Sequence, residues 1–202
     1  MYKIKSVSNE HIKEITDIFF EELNISTLSL FGQEFIENMF EILVKENSGF
    51  VSISEQSSKV VGFVIMTKKD ISLFRCLTFK SFFFLIKKIL LNFRYFKAFT
   101  ISFFKLYLQR GSLKNHDMSA VELSHIAVKK DFKSQKIGTN LIKSFEDQAK
   151  KDGYKKIFTS SHNEKLAEHY KKIKNAEVLS IIDLGTYKSY NVIWNIKWKR
   201  IF

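Results

Sequence analysis

Residues 121–150 read VELSHIAVKKDFKSQKIGTNLIKSFEDQAK, and the fold turns on how this stretch divides. Val121 to Val128 is a short β-branched run bounded by charged residues, which makes it a strand. From Ile137 the period changes, because Ile137, Leu141, Ile142, Phe145 and Ala149 recur at helical spacing. Between them lies the polar, basic tract Lys129 to Lys136. A strand that feeds a helix through such a loop leaves the first-turn N–H groups unsatisfied and the positive end of the helix dipole pointing outward. That arrangement suits a phosphate. Gly138 lets the backbone approach a pyrophosphate closely, and Lys133 and Lys136 add charge beside it.

Working outward, Tyr2 to Val7 alternates polar and apolar residues and reads as a first strand. Ser8 or Asn9 caps a helix carrying Ile12, Ile15, Phe19 and Leu23, and a second helix with Phe35, Met39, Ile42 and Leu43 follows Gly32. Phe50–Ser54 and Val60–Met66, joined by the polar tract Glu55 to Lys59, read as a hairpin. Downstream of the deciding stretch come a strand at Lys156–Ser160, a short helix at Glu164–Ile173, and two strands, Glu177–Leu184 and Lys188–Lys197. The last two are separated by Gly185, Thr186 and Tyr187. The expected class is α/β (α+β), with a mixed, mostly antiparallel sheet of six to seven strands flanked by helices. The whole of residues 1–202 forms a single domain, interrupted by an inserted helical segment at about 71–116.

Composition bounds the function. The chain has 202 residues, 45% hydrophobic and 27% charged, which excludes global disorder. One cysteine, Cys76, forms no internal disulfide and no cysteine-based zinc site, so a reducing cytoplasm is the expected compartment. The start lacks the apolar core of a signal peptide, and no stretch gives about 18 apolar residues without a charge. His11, His116, His162 and His169 show no metal-ligand spacing with acidic partners, so no metal is expected. The net charge is +12, and nine of those charges come from residues 71–116, which contain no acidic residue and ten of the 21 phenylalanines.

The loop KSQKIG, Lys133 to Gly138, resembles the acetyl-coenzyme A loop of the GNAT family of N-acetyltransferases. The family pattern, Arg/Gln-x-x-Gly-x-Gly/Ala, lies between the fourth strand and the third helix. Lys133 stands at the Arg position, Lys136 replaces the first glycine, and Gly138 keeps the second. A second family signature, an Asn followed seven residues later by a Tyr, is present as NEKLAEHY, Asn163 to Tyr170, although the usual Leu-Gly-Phe after it reads Ile173-Lys174-Asn175. The order of elements is similar too, so the resemblance covers nearly the whole chain apart from 71–116.

The resemblance implies acetyl transfer from acetyl-CoA to a primary amine by direct transfer in a ternary complex. It implies cofactor contacts from the backbone of Ile126, Ala127 and Val128, from Lys133, Ser134, Gln135, Lys136, Ile137, Gly138 and Thr139, and from Asn163. Only a neutral amine attacks a thioester, so a base is needed; Glu122 stands where the histone-acetylating branch keeps its glutamate. His125 is the rival base, and strand alternation sets it on the opposite face. A solvent-facing glutamate and a packed histidine are the bland alternatives. Tyr170 is the expected general acid for the departing thiolate; its bland alternative is a core tyrosine filling a gap between helix and sheet.

Three readings compete for residues 71–116: a helical hairpin over the acceptor site, an interfacial membrane anchor, and a nucleic-acid surface. Blocks such as Phe82-Phe83-Phe84-Leu85-Ile86 make nucleic acid the weakest, so no nucleic-acid partner is expected. The expectation is a cytoplasmic enzyme, with peripheral membrane contact through 71–116 at the inner membrane face and a homodimer as further partner readings. The segment Leu30-Phe31-Gly32-Gln33-Glu34-Phe35-Ile36, together with the insertion, resembles acetyltransferases of bacterial surface-polysaccharide assembly, which implies an amino sugar or nucleotide-linked amino sugar as acceptor. A protein lysine or N-terminus is the alternative acceptor. Lys136 in place of glycine motivates a different class, a catalytically degraded domain acting as a membrane-surface or protein-interaction module.

Overall fold

The computed structural model describes residues 1–23, 27–46, 48–55, 57–68, 119–183 and 188–196, with Cys76, Thr78, Phe79, Phe82, Phe83, Ile86 and Lys87. The rest of the 71–116 insertion, the turn read at Gly185–Tyr187 and the strand end read at Lys197 lie outside the described residues. In chain order the elements are β1 (Tyr2–Ser6), α1 (Ile12–Glu22), α2 (Gln33–Glu46), β2 (Ser48–Ser54), β3 (Val60–Thr67), β4 (Ala120–Val128), α3 (Ile137–Lys151), β5 (Lys156–Ser161), α4 (Glu164–Lys174), β6 (Glu177–Asp183) and β7 (Lys188–Asn195). The 3-10 turns at Asn9–His11, Thr27–Phe31 and Lys130–Phe132 add detail that hydrophobic periodicity does not carry. The strands form a seven-stranded sheet in the order β1-β2-β3-β4-β5-β7-β6.

Contacts group the chain into two compact units. One comprises Met1–Lys97 and His125–Phe145, the other Ala98–Ser124 and Glu146–Phe202, so β4 and α3 each contribute to both. In the first unit, β1 pairs antiparallel with β2 and β2 with β3. Val60 to Met66 is buried throughout, the mark of a central strand covered on both faces. Against it lie the stripes Ile12, Ile15, Ile18 and Phe19 of α1 and Phe35, Ile36, Met39, Phe40 and Leu43 of α2. Phe40 meets Phe19 at 5.7 Å and Phe63 at 5.5 Å, both edge to face; burying each such ring contributes about 1.5–3 kcal/mol. Ser8 opens the segment before α1, with its backbone N–H donating to His11 Nδ1 at 3.1 Å, so histidine does the job a Glu or Gln performs in a capping box.

In the second unit, the first half of β4 runs parallel to β5, with Val121 beside Ile157 and Glu122 beside Phe158. β5 then pairs antiparallel with β7, and β7 with β6. The last two strands therefore reverse their chain order in space, which spacing along the sequence does not reveal. α3 ends where Gly153 takes φ +85°, with the Tyr154 N–H returning to the Ala149 carbonyl at 3.0 Å. α4 ends at Asn175, which adopts the left-handed conformation at φ +54° that Asn tolerates.

Candidate functional site: an anion loop and a buried phenol

The loop belongs to the first unit and is set by how β4 ends. Gly62 of β3 lets β4 come close: a Cβ there would sit 3.0 Å from the Ala127 carbonyl oxygen and 3.1 Å from Val128 Cγ2. The Lys129 N–H then donates to the Val61 carbonyl at 2.9 Å, continuing the ladder to the mouth of the loop. After the turn at Lys130–Phe132 the backbone passes through two left-handed residues, Ser134 (φ +66°) and Lys136 (φ +61°). Lys136 thus keeps the conformation for which glycine is best suited. A non-glycine residue held there costs on the order of 1–3 kcal/mol, and such residues cluster at ligand clamps.

The first intrahelical bond of α3 runs from the Asn140 N–H to the Lys136 carbonyl at 3.0 Å. The N–H groups of Ile137, Gly138 and Thr139 therefore have no acceptor within the helix. The first turn of α3 contains no acidic residue to offset its dipole. At Gly138 an added Cβ would touch only Val128 Cγ2, at 3.8 Å, an ordinary contact. The protein itself leaves room for a side chain there, and an anion drawn against the N–H groups would use that space. The loop's residues fit the pyrophosphate of a coenzyme.

Two residues that sequence spacing missed hold this loop. The Glu22 carboxylate, at the end of α1, accepts from the Lys130 N–H at 2.6 Å and pairs with the Lys133 ammonium. The Tyr2 hydroxyl of β1 donates to Gln135 Oε1, and the Tyr2 ring meets Phe132 edge-on at 6.1 Å. Sequence separations of 108 and 133 residues hide both. His125 packs against Phe19 at 5.8 Å and Phe40 at 5.6 Å, which gives it a packing role with the helices.

The second unit holds Glu122, Asn163 and Tyr170. Register places Val121, Ile157 and Trp194 on one face of the sheet, and Glu122, Phe158 and Ile193 on the other. Tyr170 stacks on Trp194, with centroids 5.0 Å apart and planes 19° apart. Glu122, half-buried on β4, and Tyr170 therefore lie on opposite faces of the sheet, and the register does not bring these two predicted residues together. Trp194 is fixed in turn, since its Nε1–H donates to Glu146 Oε1 at 3.0 Å while Lys174 Nζ donates to Glu146 Oε2 at 2.8 Å.

Tyr170 is 1% exposed, and its hydroxyl has no hydrogen-bond partner among the described residues. Burial pushes the phenol far above its ordinary pKa, so it stays protonated and able to donate. Asn163 caps α4: its Oδ1 accepts from the Leu166 N–H at 3.3 Å, and its N–H donates to Ser161 Oγ at 3.1 Å. Among the described residues no three His, Cys, Asp or Glu side chains gather as metal ligands, and no helix is long and apolar enough to cross a membrane.

A strand that ends in an anion-binding turn, followed by a parallel strand and a helix bearing a buried tyrosine, is the architecture of an acetyl-coenzyme A-dependent acetyltransferase. The sequence pattern of the Acetyltransferase (GNAT) family matches residues 12–174, and the chain belongs to that family. No curated protein matches the sequence.

Solved structures share the fold at low identity. The ribosomal-protein-S18-alanine N-acetyltransferase from Escherichia coli is 13% identical, with TM-score 0.60 over 100% of this chain and 97% of that one. An N-acetyltransferase from Staphylococcus aureus Mu50 is 13% identical, with TM-score 0.60 over 98% and 99%. The PaiA N-acetyltransferase from Thermoplasma acidophilum, solved in complex with coenzyme A, is 13% identical, with TM-score 0.56 over 96% and 99%. GNAT acetyltransferases move an acetyl group from acetyl-CoA to an amine, and this chain is an enzyme of that kind.

Proposed function

We propose that the chain acetylates the primary amine of an amino sugar or a nucleotide-linked amino sugar, with Glu122 as base, Tyr170 as acid and the Lys133–Thr139 loop on the coenzyme pyrophosphate. The observation that carries the residue assignment is the orphaned hydroxyl of Tyr170. A tyrosine that only filled space would gain by being phenylalanine, because an unsatisfied buried hydroxyl costs about 1–3 kcal/mol. A hydroxyl retained there has a partner that arrives with substrate.

Acetyl-CoA, when bound, supplies an acetyl group activated as a thioester. The chain's part is proton management. Glu122 takes the proton of the acceptor ammonium, directly or through one water, which frees the lone pair for attack. Tyr170 would donate its hydroxyl hydrogen to the departing sulfur, and the second proton that the nitrogen sheds on becoming an amide restores the phenol. Direct transfer is supported by the burial of Cys76, the sole thiol, which is 1% exposed. Lys136 in the left-handed conformation speaks against a degraded loop, since the backbone holds there a conformation that glycine adopts readily and lysine does not.

The acceptor class rests on two pieces of sequence, and they touch. Thr78 Oγ1 at the start of the insertion donates to Glu34 Oε1 of the LFGQEFI segment at 3.0 Å. The test is thiol release with matched panels of amino sugars, nucleotide-linked amino sugars, polyamines and N-terminal peptides. Preference for an amino sugar, together with a loss of about 10²-fold in kcat/KM for Glu122→Gln, is the expected result. A peptide preferred over every sugar overturns the acceptor, and parent-level turnover in the variant overturns Glu122.

A further inference from the structure

An amphipathic helix of a soluble protein turns its apolar stripe toward the core. At the start of the insertion the opposite holds. Phe79, Phe82, Phe83 and Ile86 have the i, i+3, i+4, i+7 spacing of such a stripe and lie in helical backbone, with the Phe82 N–H donating to the Thr78 carbonyl at 2.9 Å. Yet Phe79 is 81% exposed, Phe82 48% and Phe83 56%. The Phe79 and Phe83 rings rest on each other at 4.8 Å, so they make one patch. Just before it the chain is anchored, with Cys76 buried and Thr78 bonded to Glu34 of α2. Lys87, one turn on, is exposed.

We propose that this aromatic patch docks the enzyme on an anionic lipid surface. The occupant follows from charge. Residues 71–116 carry nine basic side chains and no acidic one, so the sequence around the patch supplies cations for anionic headgroups while the rings enter the headgroup–acyl boundary. A second copy of the chain fits less well, because a two-fold contact through the patch would bring the exposed Lys87 of each copy toward the other. Nucleic acid fits less well because Phe79 and Phe83 already contact each other rather than standing apart to stack on bases. Docking there would hold the enzyme beside acceptors carried at a membrane.

The test is co-sedimentation of the full chain with phosphatidylglycerol/phosphatidylcholine vesicles and with pure phosphatidylcholine vesicles, at about 50 mM and about 500 mM salt. The variants are Phe79→Ser with Phe83→Ser, and Lys87→Gln alone. Coenzyme A binding reports that each variant is folded. The expected result is binding to the anionic vesicles that weakens at high salt, falls at least about tenfold in the double Phe variant and falls about two- to threefold in Lys87→Gln. Folded parent that ignores anionic vesicles at low salt overturns the proposal. So does undiminished binding by the double Phe variant, a dimer that becomes monomeric in that variant, or a single-stranded oligonucleotide that displaces the vesicles and needs the same phenylalanines.

Discussion

The anion loop and the Tyr170 site both carry unmet hydrogen-bonding capacity, but under different conditions. At the start of α3 the spare N–H groups lie beside the exposed residues Lys133 to Lys136, where water satisfies them at little cost. At Tyr170 the spare hydroxyl is buried, where nothing in the described residues answers it. The exposed capacity is compatible with a helix that merely begins there; the buried hydroxyl, like those of Thr16 and Thr67, carries a desolvation cost that the exposed groups do not. The loop shows its commitment in another way, through backbone conformation, since Ser134 and Lys136 hold left-handed angles that neither residue prefers. The two places thus differ: one carries lost solvation, the other backbone strain.

The largest expected effect tests the buried side. Tyr170→Phe removes the unsatisfied hydroxyl and keeps the ring on Trp194, so thermal stability should hold or rise while turnover falls about 10²- to 10³-fold. Alkaline unfolding sharpens the point. A phenol whose pKa is raised by folding contributes stability that is lost as pH climbs above the ordinary tyrosine value of about 10, and the variant should lack that share. A variant that is both destabilised and fully active would make Tyr170 a packing residue. On the exposed side the matching change is Gly138→Ala. The added Cβ meets only Val128 at 3.8 Å, so folding should be unharmed while coenzyme A binding, read by calorimetry, weakens about tenfold. Unchanged affinity would mean that no anion approaches the backbone at this position.

Much of this contrast is legible in the sequence. Local periodicity finds the seven strands and helices α1 to α4, because most of them bury one face and the pattern repeats within a few residues, as Phe35, Met39 and Leu43 do on α2, while β3, buried throughout, shows as an unbroken apolar run. The loop residues are legible because they are contiguous. What spacing cannot reach is long-range: Glu22 and Tyr2 clamp the loop from elements more than a hundred residues away. The Trp194–Glu146–Lys174 support beneath Tyr170 is equally hidden, since it joins β7, α3 and α4. The resemblance points to Tyr170, but only packing shows that its hydroxyl is orphaned.

Glu22→Gln probes how the loop divides its charge. Glutamine keeps an oxygen for the Lys130 N–H, so the loop should stay in place, but it no longer neutralises Lys133. ADP binding is therefore expected to tighten about threefold at low salt and to lose that gain at high salt. Weaker binding would show that the carboxylate matters chiefly as a clamp.

The smallest effect discriminates most finely. Lys136→Gly should release a left-handed penalty of about 1–2 kcal/mol, partly offset by about 0.4–1 kcal/mol of extra freedom in the unfolded chain. The net gain, about 0.5–1 kcal/mol, is measurable as a shift in the denaturant midpoint. Its side chain is exposed and pairs with no acidic group among the described residues, so the ammonium is available to an incoming phosphate. If that charge compensates for the strain, ADP affinity should fall about two- to threefold while stability rises, with a shallower salt dependence than the parent's. If affinity rises along with stability, lysine contributes nothing that glycine would not, and the strain at Lys136 has no counterpart in binding. The loop would then differ from the Tyr170 site in kind: one held at a conformational cost without return, the other keeping a buried hydroxyl that the proposed proton donation would use.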